Sequence, residues 1–262
     1  MKKYLSPIKN IDFKLFYSLF ENIDDSSILS VLEGKFGNLY ADSETSPQSA
    51  VAKIGDFNYI VGVPCNIENL KSIIGQVTVE TILIFDKQEW KSYIKSEFKL
   101  IEFYRYATKP PKEFDIKKLE ELSGRINQLN GYTLSLMNED DYNSLKTNSF
   151  GKDLTGNAPN YQAFSSNCLG VLAKYKGETV AGTSSYTYYS KGIEIQVETD
   201  KKHGGKGLAT ICSSVFILEC IKRGLTPHWD AAHLTSLHIA NKLGFVSQGE
   251  YKAYHINTKT ED

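Results

Sequence analysis

The sequence predicts a mixed α/β fold of the α+β kind, with a largely antiparallel sheet in the C-terminal half and a smaller α/β domain before it. Three observations carry this expectation. Residues 168–199, "CLGVLAKYKGETVAGTSSYTYYSKGIEIQVET", read as three antiparallel strands parted by turns at "YKGE" and "YSKG". A glycine cluster, "HGGKGLAT", then separates the last strand from the small and apolar run "ICSSVFILECI", which reads as a helix. In the N-terminal half, strand-like runs are interleaved with helical ones.

Taken in order, "DDSSILSVLEG" offers cap residues, an apolar stripe and a closing glycine, and predicts a helix. The runs "GNLYAD", "SAVAKIG", "FNYIVGV" and "VTVETILIF" predict strands, and "KQEWKSYIKSEF" a helix. "RYATKPPKEF" breaks the pattern at Pro110 and Pro111 and suits a linker, because a proline pushes the residue before it out of the helical region. "DIKKLEELSGRINQL" sets Ile116, Leu119, Leu122 and Ile126 at helical spacing, with Asp115 as N-cap. Next, "GYTLSLM" predicts a strand and "NEDDYNSL" the start of a helix. After the glycine helix, "GLTPHWDA" predicts a short strand, "LTSLHIANKLG" a helix, and "VSQGEYKAYHI" a last strand or strand pair. The domain reading is 1–110 as the N-terminal α/β domain, 111–130 as a linker helix and 131–262 as the second domain.

Composition narrows the function. Hydrophobic residues make up 41% and aromatics 12%, enough for a packed core. Thirty Lys and Arg balance thirty-one Asp and Glu for a net charge of −1, so no global field attracts nucleic acid or an anionic membrane. Cys65, Cys168, Cys212 and Cys220 show no CxxC spacing, and a reduced, cytoplasmic chain is the simplest reading. The opening "MKKYLSPIKNIDFKLF" has no apolar h-region, and no apolar run approaches the roughly 20 residues of a membrane span. His228, His233 and His238 recur every five residues, whereas a helix brings ligands together at three or four, so no metal site is expected.

The chemistry begins at the glycines. Gly204, Gly205 and Gly207 can take backbone angles that other residues resist. A helix starting just after them leaves its first N–H groups without internal partners. Those groups, with the helix dipole behind them, suit a phosphate, and Lys201, Lys202 and Lys206 add positive charge. The loop is not a Walker A sequence, which needs GxxxxGK[ST]. It is not a dinucleotide fingerprint either, because Thr210 stands at the third glycine position. A plain glycine-rich turn is the competing reading of the loop alone.

"VETDKKHGGKGLAT" resembles the pyrophosphate-binding loop of the GNAT superfamily of acetyl-CoA-dependent N-acetyltransferases, whose pattern is Q/R-x-x-G-x-G/A. Aligned on Gly207 and Ala209, Gly204 stands where relatives carry Gln or Arg; a register starting at Lys202 restores a cation there. "HWDAAHLTSLHIANKLGF" resembles the later GNAT segment. Its "W-D-A" with "KLGF" and "EYKAY", and the earlier "EGKFGNLYAD", "GDFNYIVG" and "RYATK", are similar to the branch that includes the zwittermicin A resistance acetyltransferases. The resemblance implies a GNAT fold in the C-terminal half, and a degenerate copy of it is one reading of the N-terminal half. It also implies acetyl-CoA as co-substrate. The residues implied in its binding are Lys202, His203, Gly204, Gly205, Lys206 and Gly207 in the loop, and Leu208, Ala209 and Thr210 at the helix start. Val197 on the preceding strand, and His233 and Ser236 in the later segment, complete that set.

An attacking amine must be neutral, yet an alkyl ammonium has a pKa of about 10.4. A carboxylate, or a water that it holds, can take the proton. In GNAT enzymes such a base often sits on the strand before the loop, where Glu194 and Glu198 share a parity and, without a bulge, a face; Glu194, where relatives often carry the acid, is slightly favoured as the base. Two solvent-facing glutamates are the competing reading. The resemblance further implies splayed strands that free backbone N–H groups near Val197 and Glu198 for the oxyanion. The tyrosine that many relatives use to protonate the leaving thiolate falls at Ala240 here. Ser236, Tyr251 and Tyr254 are candidate substitutes, the two tyrosines being read first as core aromatics. Trp229 and Asp230 are read as structural or acceptor-site residues. The expected function is direct transfer of an acetyl group from acetyl-CoA to a primary amine, a small molecule being the favoured acceptor. The alternative, motivated by Gly204 and Ala240, is a non-catalytic acyl-CoA-binding module.

Overall fold

The computed structural model describes residues 4–9, 13–64, 67–75, 81–96, 98–148 and 150–257. The chain forms two compact units, Met1–Arg105 with Glu250–Asp262, and Tyr106–Gly249.

In the first unit the order is β1 (Ser6–Pro7), α1 (Phe13–Phe20), α2 (Ser27–Leu32), β2 (Asn38–Ala41), β3 (Ser49–Ile54), β4 (Phe57–Gly62), α3 (Leu70–Ile74), β5 (Ile82–Phe85) and α4 (Trp90–Ile94). β6 (Leu100–Lys109) then carries the chain into the second unit. β1 to β4 pair antiparallel in sequence order, and β4 pairs parallel with β5. The other edge of β5 takes Tyr254 and His255 from the last strand of the chain. β4 buries every side chain and β3 all but Lys53, as strands covered on both faces do. Their core includes Val51, Ile60, Leu83, Trp90 and Ile94. The strand expected from Val77 is present as Ile82–Phe85, and residues 77–80 of it lie outside the described residues, as does Cys65.

In the second unit the order is α5 (Ile116–Gly124), β7 (Tyr132–Leu136), α6 (Glu139–Thr147), α7 (Tyr161–Asn167), β8 (Gly170–Tyr175), β9 (Glu178–Tyr189), β10 (Gly192–Thr199), α8 (Leu208–Lys222), β11 (Thr226–His228), β12 (Asp230–Ala231) and α9 (Leu234–Leu243), after which β13 (Val246–Ile256) carries the chain back to the first unit. The sheet runs β11-β10-β9-β8-β7, antiparallel throughout except for the parallel β10–β11 pair. Local chemistry explains the elements. Lys176 and Gly177 both have positive φ, 51° and 91°, and form the two-residue turn between β8 and β9. Asp115 caps α5 by accepting the Lys118 N–H at 3.0 Å. Asn138 and Asp141 close a capping box on α6. α8 buries residues around most of its circumference, as a helix in the middle of a core must. It packs with Leu119 and Leu122 of α5 and with Ile193, Ile195 and Val197 of β10. These odd positions of β10 face α8, which leaves Glu194, Gln196 and Glu198 for the opposite face.

Both units run an antiparallel meander into one parallel pairing across a helix, β4–α3–β5 and β10–α8–β11. This is the repetition that a copied fold requires, although the first crossover, "GVPCNIENLK", carries no glycine cluster. The boundaries differ from the sequence expectation of 110 and 130. β6 persists to Lys109, α5 belongs to the core of the second unit, and the chain from Glu250 returns to the first. Pro110 ends the strand, and β pairing at long range draws the last residues back.

Phe216 on α8 is fully buried. Phe216→Ala is expected to destabilise the protein by about 3–5 kcal/mol, read as a lowered midpoint in urea unfolding; a loss below about 1 kcal/mol would show that α8 is not the centre of this core.

Candidate active site

β10 and β11 pair over three rungs only: Gly192 with Thr226, Ile193 with Pro227 and Glu194 with His228. The chain then turns away, and Asp230 and Ala231 of β12 pair with Ala107 and Tyr106 of β6. β10 itself continues to Thr199 beside β9, with a register shift between Glu194 and Ile195. From Ile195 onward its other edge has no strand partner among the described residues. Such an edge is a row of backbone donors and acceptors open to a ligand. Val197 lies on it, with its side chain packed into the α8 core.

The open strand leads directly into the glycine loop. The Asp200 carboxylate accepts the Lys202 N–H at 2.8 Å and seats a 3-10 turn at Lys201–His203. Gly204 is extended at φ −60°, whereas Gly205 and Gly207 lie at +75° and +78°, where only glycine is unstrained. Gly207 is the N-cap of α8 and has no side chain with which to cap it. The backbone N–H groups of residues 205–210 consequently donate to no acceptor among the described residues. That set includes Leu208, Ala209 and Thr210, and it forms an anion-binding helix start. Lys201, Lys202 and Lys206 stand exposed around it. His203 turns to the sheet instead: its Nδ1 lies 2.7 Å from Tyr132 Oη, and its ring packs against Tyr132 and Tyr175. It fastens the loop to β7 and β8.

Glu194 and Glu198 share the face away from α8 but differ in environment. Glu194 is 5% exposed, and its Oε1 accepts the Asp230 N–H at 2.8 Å. Glu198 is half-buried. Burial pushes its carboxyl above the ordinary value of 4.5, a hydrogen bond from the Gly151 N–H opposes this, and the Asp153 charge adds to it. Its Oε2 is buried without a hydrogen-bond partner among the described residues. Ser184 Oγ, equally buried and unpartnered, lies on the neighbouring strand opposite Gln196. A carboxyl in this state is suited to take a proton. Sequence reading did not find Gly151 or Asp153, since they arrive from the 3-10 turn at Lys152–Thr155, far away in the chain. The only local signal was the glycine pair bracketing "GKDLTG".

The later segment is occupied with itself. His233 is the N-cap of α9, its Nδ1 accepting the Ser236 N–H at 3.1 Å. Ser236 Oγ accepts the Trp229 indole N–H at 3.0 Å, and the Trp229 carbonyl accepts the Thr108 hydroxyl. Ala240 is fully buried. Tyr254 is buried in the first unit, donating to Gln88 Oε1 at 2.9 Å, and Tyr251 belongs to that unit too. Cys168, Cys212 and Cys220 are free and buried, and burial pushes each thiol up to about 12. None of them is a thiolate nucleophile at neutral pH. Among the described residues no three His, Cys, Asp or Glu are grouped to hold a metal, and no helix is long and apolar enough to cross a membrane.

The family model described as GNAT acetyltransferase matches residues 17–254. The chain belongs to the GNAT acetyltransferase family. It is similar to a solved GCN5-related N-acetyltransferase-like protein from Streptococcus suis, at 35% identity and a TM-score of 0.85, covering 94% of this chain and 98% of that one. A GCN5-related N-acetyltransferase from Kribbella flavida shares the fold at 11% identity and a TM-score of 0.53, covering 81% of this chain and 88% of that one. So does an acetyltransferase of the GNAT family from Colwellia psychrerythraea, at 11% identity and a TM-score of 0.50, covering 96% and 98%. No curated protein matches the chain. GNAT acetyltransferases generally use acetyl-CoA, and a loop of free N–H groups beside an open strand edge fits such a ligand.

Gly205 and Gly207 have open space where a Cβ would go, so substitution there acts through backbone strain. A Gly205→Val, Gly207→Val double variant is expected to remain folded and lose at least about tenfold in coenzyme A affinity by calorimetry, the worth of 1–3 kcal/mol of strain per site. Unchanged affinity in the folded variant would remove the loop from the site.

Proposed function

We propose that this GNAT chain moves an acetyl group from acetyl-CoA to a primary amine of a small molecule by direct attack, with Glu198 as general base. The observation that carries this reading is a half-buried carboxyl with an unpartnered oxygen, on an open-edged strand that leads into a loop of free N–H groups. Residues 205–210 would hold the pyrophosphate, with Lys202 and Lys206 adding screened charge. The open edge at Val197 offers backbone groups to the amide-bearing arm and to the oxyanion. Acetyl-CoA, when bound, supplies the acetyl group as an activated thioester. Glu198 takes the ammonium proton, so the acceptor nitrogen attacks as a free amine.

Asp153 beside Glu198 favours a cationic acceptor. The resemblance to the zwittermicin A resistance branch supports a polar small-molecule amine. Buried, reduced cysteines support a cytoplasmic setting. With Ala240 buried, no tyrosine stands at the family's usual place to protonate the thiolate, which is itself a fair leaving group. That absence favours the second reading, an acyl-CoA-binding module without turnover. Release of free thiol from acetyl-CoA with a panel of amines separates the two.

Glu198→Gln is expected to lower kcat at pH 7 by about 10²–10⁴ while keeping coenzyme A affinity, and the loss shrinks at high pH, where the amine deprotonates unaided. Stability provides a second readout. The folded carboxyl titrates above its ordinary 4.5, so the native state binds the proton more tightly than the unfolded chain does. Stability therefore falls as pH rises from that value through the folded pKa. The Gln variant is expected to melt higher than wild type at pH 7 and to lose that advantage in acid, where both side chains are neutral. Near-normal turnover at pH 7 in a folded Glu198→Gln variant would overturn the assignment.

A further inference from the structure

We infer that Glu194 is a positioning residue whose carboxylate acts as a strut, fixing the width of the β10–β11 fork for acetyl-CoA and taking no part in proton transfer. This rests on the acetyltransferase reading above. Glu194 is the last residue of β10 that pairs with β11, opposite His228. A parallel strand that continued would give its next inward N–H to a β10 backbone carbonyl. Here the peptide between Trp229 and Asp230 is held at both ends by side chains, its N–H on the β10 side and its carbonyl on the opposite side. The Trp229 carbonyl takes the Thr108 hydroxyl at 2.5 Å, and the Asp230 N–H is given to Glu194 Oε1 at 2.8 Å. Paired strands lie about 4.8 Å apart. Replacing a backbone acceptor with the end of a glutamate side chain holds the departing chain farther off.

The closed side of the fork is locked as firmly. Tyr189 of β9 reaches across β10, and its Oη lies 2.9 Å from Nε2 of His228 on β11. The crossing is made at Gly192, where a Cβ would come within 2.7 Å of the Tyr189 ring and 2.5 Å of the Thr226 carbonyl. The apex is thus pinned below by Tyr189 and His228 and braced above by Glu194. At 5% exposure Glu194 is engaged with the protein's own backbone, whereas Glu198 keeps an unpartnered oxygen. What the strut requires of residue 194 is reach and an accepting oxygen, both of which glutamine has. A base requires a carboxylate, which aspartate has.

The test compares Glu194→Gln with Glu194→Asp, each confirmed as folded by thermal unfolding, using calorimetric coenzyme A affinity together with kcat and KM. The strut predicts that Gln keeps coenzyme A affinity within about threefold, while Asp, one methylene short, loses about 10–100-fold, the worth of one charge-assisted hydrogen bond. In Asp the KM for acetyl-CoA rises more than kcat falls. The reverse order, with Asp active and Gln losing about 10²–10⁴ in kcat, would overturn the inference and make Glu194 the base. If Asp does not fold, Gln alone decides, because the two roles require opposite outcomes of it. Wild-type binding of coenzyme A with equal affinity in both variants would overturn the strut alone. No binding by wild type would bring down the acetyltransferase reading and the strut together.

Discussion

A backbone N–H or carbonyl that leaves a sheet must find another partner, because an orphaned buried group costs about as much as a lost hydrogen bond. The second unit is arranged around the place where this happens. β11 ends after His228, the next residues join β6, and from Ile195 onward β10 has no strand partner on that edge among the described residues. Everything with chemical potential lies along that departure. Glu194 sits at its apex, Val197 and Glu198 on the open stretch, and the free N–H groups of residues 205–210 just beyond. The rest of the unit keeps this gap from closing. α8 packs the back of the sheet, Thr108 and Glu194 hold the departing strand, and Asp200 and His203 anchor the loop.

What the sequence made legible was local. The turn at Lys176 and Gly177 and the cap at Asp115 are fixed by neighbours a few residues away, so their residue types announce them. The glycine loop announced itself for the same reason: Gly205 and Gly207 occupy angles that no other residue adopts cheaply. The fork was not legible. "GLTPHWDA" reads as one strand because nothing within it records that Pro227 and Ala231 pair with different partners. The settings of the two glutamates were hidden likewise. Their shared face follows from parity, but Asp230 and Gly151, which distinguish them, come from distant segments. Gly192 was a turn residue in the sequence and is a passage for the Tyr189 ring in the structure.

The site is also where the unit gives up stability. A half-buried carboxylate with a bare oxygen and uncapped helix N–H groups are each unfavourable in the free protein. They persist because the surrounding core over-determines them. Phe216, Ile211 and Cys212 of α8, with Leu119 and Leu122 of α5, form a dense apolar mass behind β10. Filling the site with a matching anion relieves the uncapped end, so ligand binding and stability are coupled by mass action.

The return of the chain to its first unit sets an order of events during synthesis. The strands up to Arg105 are made before the second unit, yet one edge of β5 acquires its partner only when Tyr254 and His255 have been made. Until then that apolar strand offers an unpaired ladder to any passing chain. The N-terminal half therefore carries an uncovered strand edge until the second unit has been made. Pairing of Tyr254 and His255 with β5 is the step that ends the exposure.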